Sequence, residues 1–212
     1  MSPGGAYRTV KAQSEVEIVI QKSHFIGRCF PVDSEQDALE VLAGIRKKHW
    51  DATHNCFAYR IGQRADCARY SDDGEPGGTA GLPMMEVIKS RDITDALVVV
   101  TRYFGGILLG AGGLVRAYSK ATAEAASKAG IVDVLPALHY SLKMDYSRYG
   151  GIESFVREAA EVQEVQFGAD VCILALVEAD NSAAFCKAVV ERSDGRCIPE
   201  HFGEGWIRRE AE

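Results

Sequence analysis

The chain has 212 residues, 47% apolar and 25% charged, the composition of an ordinary globular protein with one large or two small domains. This excludes a disordered, collagenous or coiled-coil protein. Its longest strictly apolar runs, Val171 to Val177 and Ala96 to Val100, fall well short of the roughly 20 residues of a membrane-spanning helix. Residues Met1 to Gln21 carry no secretory pattern, so the expected location is the cytoplasm, with no membrane as partner. The net charge of −6 is uneven. Residues 1–136 hold 16 basic against 16 acidic side chains and residues 137–212 hold 8 against 14. Indiscriminate nucleic-acid binding has no electrostatic support, and any RNA contact needs a local basic patch.

The chain opens with strands. Val16, Ile18 and Ile20 alternate with polar neighbours, Gln21 to Ser23 reads as a turn, and His24 to Phe30 is a second run ended by Pro31. Ser34 is placed to cap a helix carrying Leu39, Leu42 and Ile45, with Lys47 and Lys48 at its negative end. Thr53 to Ile61 reads as a strand. Residues 62–82 break the pattern, because Asp72-Asp73-Gly74-Glu75-Pro76-Gly77-Gly78 suits no regular element. A short helix is expected from Pro83 to Ser90 and a buried strand from Ala96 to Tyr103. A glycine-rich loop then spans Gly105 to Gly113. The next helix, Gly112 to Ala129, carries a Leu114, Tyr118, Ala121, Ala125, Ala129 face and a Lys120, Glu124, Lys128 ladder, with Gly130 as its stop.

Ile131 to Ala137, with Pro136, lacks periodicity and reads as a linker, so domains are expected at 1–133 and 137–212. After the linker, Leu138, Tyr140, Leu142 and Met144 mark a half-buried strand. A helix from about Tyr149 to Glu161, strands at Glu164 to Phe167 and Val171 to Glu178, a helix to Arg192 and a strand within Cys197 to Ile207 complete a β-α-β-β-α-β order. That is the order of a ferredoxin-like unit.

The six cysteines, at 29, 56, 67, 172, 186 and 197, include no Cys-x-x-Cys pair and read as reduced, mostly buried thiols. His54 and Cys56, with His24 and Cys67, have no recognised zinc spacing; a packed cysteine beside a hydrogen-bonded histidine is the favoured reading. No cofactor or metal is expected.

Nine of the 21 glycines fall between Tyr70 and Arg116. A buried strand, a glycine-rich loop and a helix start make a recurrent anion cradle. The candidate anion, phosphate or RNA site is Arg102, Tyr103, Gly105, Gly106, Gly110, Gly112, Gly113 and Arg116. It is neither a P-loop nor a dinucleotide fingerprint. The alternative is a loop that merely packs against the sheet. Asp72, Asp73 and Glu75 form an acidic loop, read as a solvated turn ahead of a Mg²⁺ site. Arg102 has its own alternative role, pairing with Asp72, Asp73 or Glu75 and pinning that loop.

Residues 71–118 resemble the IMPACT/YigZ family. Gly81 followed by Met84-Met85 fits the start of its signature. Val99-Val100, Arg102, Tyr103, Phe104, Gly105, Gly106, Leu109 and Gly110 fit its end, and Ser23-His24-Phe25-Ile26 resembles its N-terminal Ser-x-Phe-Ile. The resemblance implies an α+β protein of the bacterial two-domain form. Its N-terminal domain would be like domain 2 of ribosomal protein S5, and its C-terminal domain ferredoxin-like, similar to the last domain of the bacterial translocation factor. It implies a non-enzymatic regulator of translation, acting through the ribosome, RNA or a translation-associated protein. The alternative class is an enzyme or sensor for a phosphorylated or nucleotide-like small molecule at the glycine-rich loop. A peptidase comes third, for want of a metal-ligand constellation.

Overall fold

The computed structural model describes residues 5–211. The chain forms an α+β fold with two antiparallel sheets and divides into two compact units. One is built on residues 7–133 and the end of the chain from Glu210, the other on residues 134–209.

The first unit contains β1 (Tyr7–Val10), β2 (Ser14–Ile20), β3 (Ser23–Pro31), α1 (Glu35–Lys48), β4 (His54–Ile61), β5 (Cys67–Ser71), α2 (Gly81–Ser90), β6 (Ala96–Tyr103) and α3 (Gly110–Ala129). Its five-stranded sheet runs β2-β3-β6-β4-β5. β6 is the central strand, and its apolar run is continuous because both faces are covered. Val98 and Val100 pack with α2 and α3, while Leu97 and Val99 pack with Ala38 and Leu42 of α1. Ser34 caps α1 as expected, its Oγ accepting from Asp37 N at 3.1 Å. The stripe Ala117, Ala121, Ala125 lets α3 approach the sheet closely. A Cβ on Gly27 of β3 would lie 2.7 Å from the Ala121 carbonyl oxygen.

The second unit follows β7 (Ile131–Met144) with α4 (Tyr146–Ala159), β8 (Glu161–Phe167), β9 (Val171–Glu178), α5 (Ser182–Arg192) and β10 (Glu200–Glu210). β9 lies between β8 and β7, and β10 pairs with β7. Tyr140, Leu142 and Met144 form a core with Ile152, Val156, Phe185 and Val189 of the two helices.

Four expectations need correction. Residues 131–137 are not a linker but the start of β7, with Val132, Val134 and Ala137 buried. Pro136 hid the strand because it removes one ladder donor without preventing extended backbone. Within 62–82, β5 is regular; it is short and largely exposed, so it shows no apolar alternation. α3 starts at Gly110, two residues before the expected Gly112, which shortens the loop. In the expected ladder Lys120 does face Glu124 at 3.8 Å, but Lys128 donates to the Glu15 carbonyl instead. No described helix is long and apolar enough to cross a membrane.

Candidate functional site

Antiparallel register assembles the site. Arg102, near the end of β6, lies opposite Phe25 of β3 on one side and opposite His54 of β4 on the other. Cross-strand partners share a face, so three residues far apart in sequence meet there. Arg102 is nearly buried, its side chain 6% exposed, and its guanidinium sits 5.3 Å from the Phe25 ring and 5.4 Å from the Phe104 ring. Nη1 donates to Glu75 Oε1 at 2.7 Å, and Nη2 reaches Ser23 Oγ at 3.4 Å. Nε is buried with no hydrogen-bond partner among the described residues.

Glu75 is no solvated turn residue: its side chain is 2% exposed. Its Oε1 also accepts from the Tyr118 hydroxyl of α3 at 2.7 Å. Burial, with Cys56 and Glu75 beside it, pushes the Tyr118 phenol far up, so it stays a donor. Burial also pushes the Cys56 thiol up to about 12. It donates to the Asp72 carbonyl at 3.0 Å and is not a thiolate nucleophile at neutral pH.

The rest of the acidic loop is engaged elsewhere. Asp72 accepts from the backbone N–H groups of Gly78, Ala80 and Gly81 at 2.8–3.0 Å. It thereby covers the N-terminal end of α2. Burial raises the Asp72 carboxyl, but these donors outweigh it and hold the group below its ordinary value. Asp73 accepts from Arg46 and from the Asn55 N–H. Its carbonyl accepts from His54 Nδ1 at 2.7 Å. Among the described residues no three histidine, cysteine or carboxylate side chains converge as metal ligands.

Beyond Tyr103 the loop turns back tightly. Phe104 N–H donates to Thr53 Oγ1 at 3.1 Å and Gly105 N–H to Ser23 Oγ at 3.2 Å. A Cβ on Gly105 would lie 2.0 Å from the Lys22 carbonyl carbon, so only glycine fits. Gly106 and Gly110 have φ of +82° and +68°. Much of the glycine clustering therefore serves chain packing. Beside the loop is a cavity of about 350 Å³, lined by Thr53, His54, Glu75, Pro76, Arg102, Phe104, Leu108, Leu109, Gly110, Ala111 and Leu114.

Of the expected site residues, Arg102, Glu75 and Gly110 line this cavity. Gly112 and Gly113 sit within the first turn of α3 and are not part of its lining. Tyr103 turns to the other side of the sheet, where its hydroxyl meets His49 Nδ1 at 2.9 Å and Asp51 at 3.2 Å. Arg116 is exposed on α3, away from the lining. His54, Phe104, Leu108 and Leu114 were not among the expected binding residues. His54 drew attention only as a candidate metal ligand, and nothing local in the sequence sets it opposite Arg102.

The Impact N-terminal domain family matches residues 21–126, and a domain of unknown function, DUF1949, matches residues 142–196. The chain is 44% identical over 194 residues to the IMPACT family member YvyE of Bacillus subtilis, covering 90% of this chain and 88% of that one. It is 33% identical over 179 residues to the IMPACT family member YigZ of Escherichia coli, covering 83% and 88%. Protein IMPACT of Bos taurus matches over 101 residues at 37% identity, 45% of this chain and 31% of that protein. A crystal structure described as that of an hypothetical protein superposes with a TM-score of 0.59 at 29% identity, covering 95% of this chain and 99% of the other.

Proposed function

Since this chain belongs to the IMPACT family, in the two-domain form of YvyE and YigZ, we propose that it is a cytoplasmic, non-enzymatic binding protein that regulates translation. It acts through the ribosome, RNA or a translation-associated protein. Within this reading the first domain has a fold like domain 2 of ribosomal protein S5. The second is ferredoxin-like, a reading supported by β9 lying between β8 and β7 and by β10 pairing with β7, in a sheet that β1 also joins. The observation that carries the function is the loop between β6 and α3. It exposes Phe104, Ile107 and Leu108 (the last 84% exposed) on a backbone tied to Thr53, Ser23 and the Lys22 turn. Trp50, 83% exposed, lies just before the β4 end that anchors it. A rigid apolar tip of this kind marks a partner surface. Ribosome co-sedimentation tests the reading: the wild type pellets with ribosomes, and Phe104→Ala with Leu108→Ser releases it. A salt-dependent interaction identifies RNA as the contact, a salt-insensitive one a protein. No co-sedimentation under any condition, with no translation factor captured, overturns the reading.

The cavity beside the loop favours a second reading, a sensor or enzyme that binds a small molecule, such as a phosphorylated or nucleotide-like compound. Its size falls in the range of ligand pockets and its polar groups are few.

A further inference from the structure

The polar atoms of the cavity have a specific deficit. His54 Nδ1 faces the Asp73 carbonyl oxygen at 2.7 Å. A carbonyl only accepts, so Nδ1 carries the proton, and in the neutral ring Nε2 is left with a lone pair. Nε2 lies 3.8 Å from Glu75 Oε2. Glu75 Oε1 already accepts from Arg102 and Tyr118, whereas Oε2 has no hydrogen-bond donor among the described residues. With the ring neutral, two acceptors face one another across a gap too long for a hydrogen bond, and a donor between them satisfies both.

Gly110 and Ala111 line the same cavity. They are the first residues of α3, whose start has no side-chain cap and no acidic residue in its first turn. Their N–H groups have no partner within the helix and carry the positive end of its dipole. Arg102, ion-paired with Glu75, lines the same cavity with a buried Nε that has no partner among the described residues, one more donor. Between the two ends lie the apolar side chains of Phe104, Leu108, Leu109 and Leu114.

We propose that this cavity binds a small zwitterion, an α-amino acid with an apolar side chain. Its ammonium sits between His54 Nε2 and Glu75 Oε2, its carboxylate at the start of α3 and its side chain against the leucines. The proposal rests on the reading of the cavity as a small-molecule site. It differs from the phosphate version because a phosphate oxygen offers no donor to Glu75 Oε2, which accepts no hydrogen bond among the described residues, whereas an ammonium does.

Isothermal titration calorimetry of the full chain tests it with L-leucine, N-acetyl-L-leucine, L-leucinamide, inorganic phosphate and ADP. L-leucine is expected to bind. Blocking either charged end is expected to weaken binding by at least about tenfold, the scale of one charge-assisted hydrogen bond. Glu75→Gln should abolish leucine binding. That variant also weakens the Arg102 contact and can disturb folding, so Leu108→Asp serves as the second. It alters an exposed cavity wall and should weaken leucine binding while leaving the melting temperature unchanged. A ¹⁵N spectrum of the free protein, recorded where the ring is neutral, should place the His54 proton on Nδ1. A proton on Nε2, or leucine and N-acetyl-leucine binding equally, overturns the proposal. Binding of phosphate or ADP without leucine overturns the zwitterion but leaves the small-molecule reading standing. Failure of every compound overturns both.

Discussion

The two helices that cover one face of the first sheet begin in opposite ways. At α2 the Asp72 carboxylate reaches back to accept from Gly78, Ala80 and Gly81, and the end is closed by protein. At α3 no side chain caps Leu109, no acid follows in the first turn, and Gly110 and Ala111 face a cavity. Both stretches are glycine-rich, the first read from sequence as a solvated acidic turn and the second as an anion cradle. In the acidic loop the unusual residues hold the chain together. In the second the chain leaves donors unsatisfied beside an apolar wall, as a binding site does. Glu75 joins the two: it leaves the acidic loop to pair with Arg102 and Tyr118, with one oxygen left toward the cavity.

Four measurements test this contrast. The largest effect is expected from Glu75→Ala. It leaves the buried Arg102 guanidinium without its carboxylate and the Tyr118 hydroxyl without its acceptor, at a cost of about 3–5 kcal/mol. Urea denaturation should show a lower midpoint with an unchanged slope. Adding Arg102→Met should recover part of the loss, and no recovery would mean that the pair is not what stabilises the loop.

Asp72→Ala should cost about 1–2 kcal/mol, the scale of a lost helix cap. Its pH dependence has a definite sign. The carboxyl is held below its ordinary value in the folded chain, so its contribution is complete above the unfolded value of about 3.9. It disappears as pH falls through the lower folded value. Thermal melts from pH 5 downward should be steeper for the wild type than for Asp72→Asn.

At the open helix the sign reverses. Ala111→Asp puts a carboxylate on an exposed first-turn position and should stabilise by about 0.3–1 kcal/mol. The same charge should remove L-leucine binding by occupying the positive end. A stabilised variant that still binds would show that the ligand carboxylate sits elsewhere. The smallest effect is expected from Arg116→Ala. Arg116 is exposed and outside the cavity lining, so stability should stay within about 0.5 kcal/mol and leucine binding should not change. A lost binding signal would move the site out along α3.

Much of the scaffold was legible because it is local. The Ala96 to Val100 run, the alanine stripe of α3, the Ser34 cap and the Gly130 stop each follow from propensity and periodicity over a few residues. Pairing of Arg102 with Asp72, Asp73 or Glu75 was open in the sequence as the alternative to anion binding, and the structure selects Glu75. Arg116 was a candidate anion ligand beside Arg102, but it is exposed on α3 and does not line the cavity. Residues 131–137 and 67–71 looked irregular because their strand character comes from ladder partners elsewhere.

By itself the sequence determined the α+β class, most of its elements, the likeness to the IMPACT family and the region where a site was sought. These depend on residue type and short spacing. Only the tertiary structure decided that His54 and Phe25 flank Arg102, that Tyr118 and Arg102 share one oxygen of Glu75, and that α3 is open where α2 is closed. The physical reason is that strand register and the packing of α3 on β3 bring together side chains far apart in the chain, 79 residues for Ser23 and Arg102 and 93 for Phe25 and Tyr118. No local preference encodes which donor remains without an acceptor once they meet.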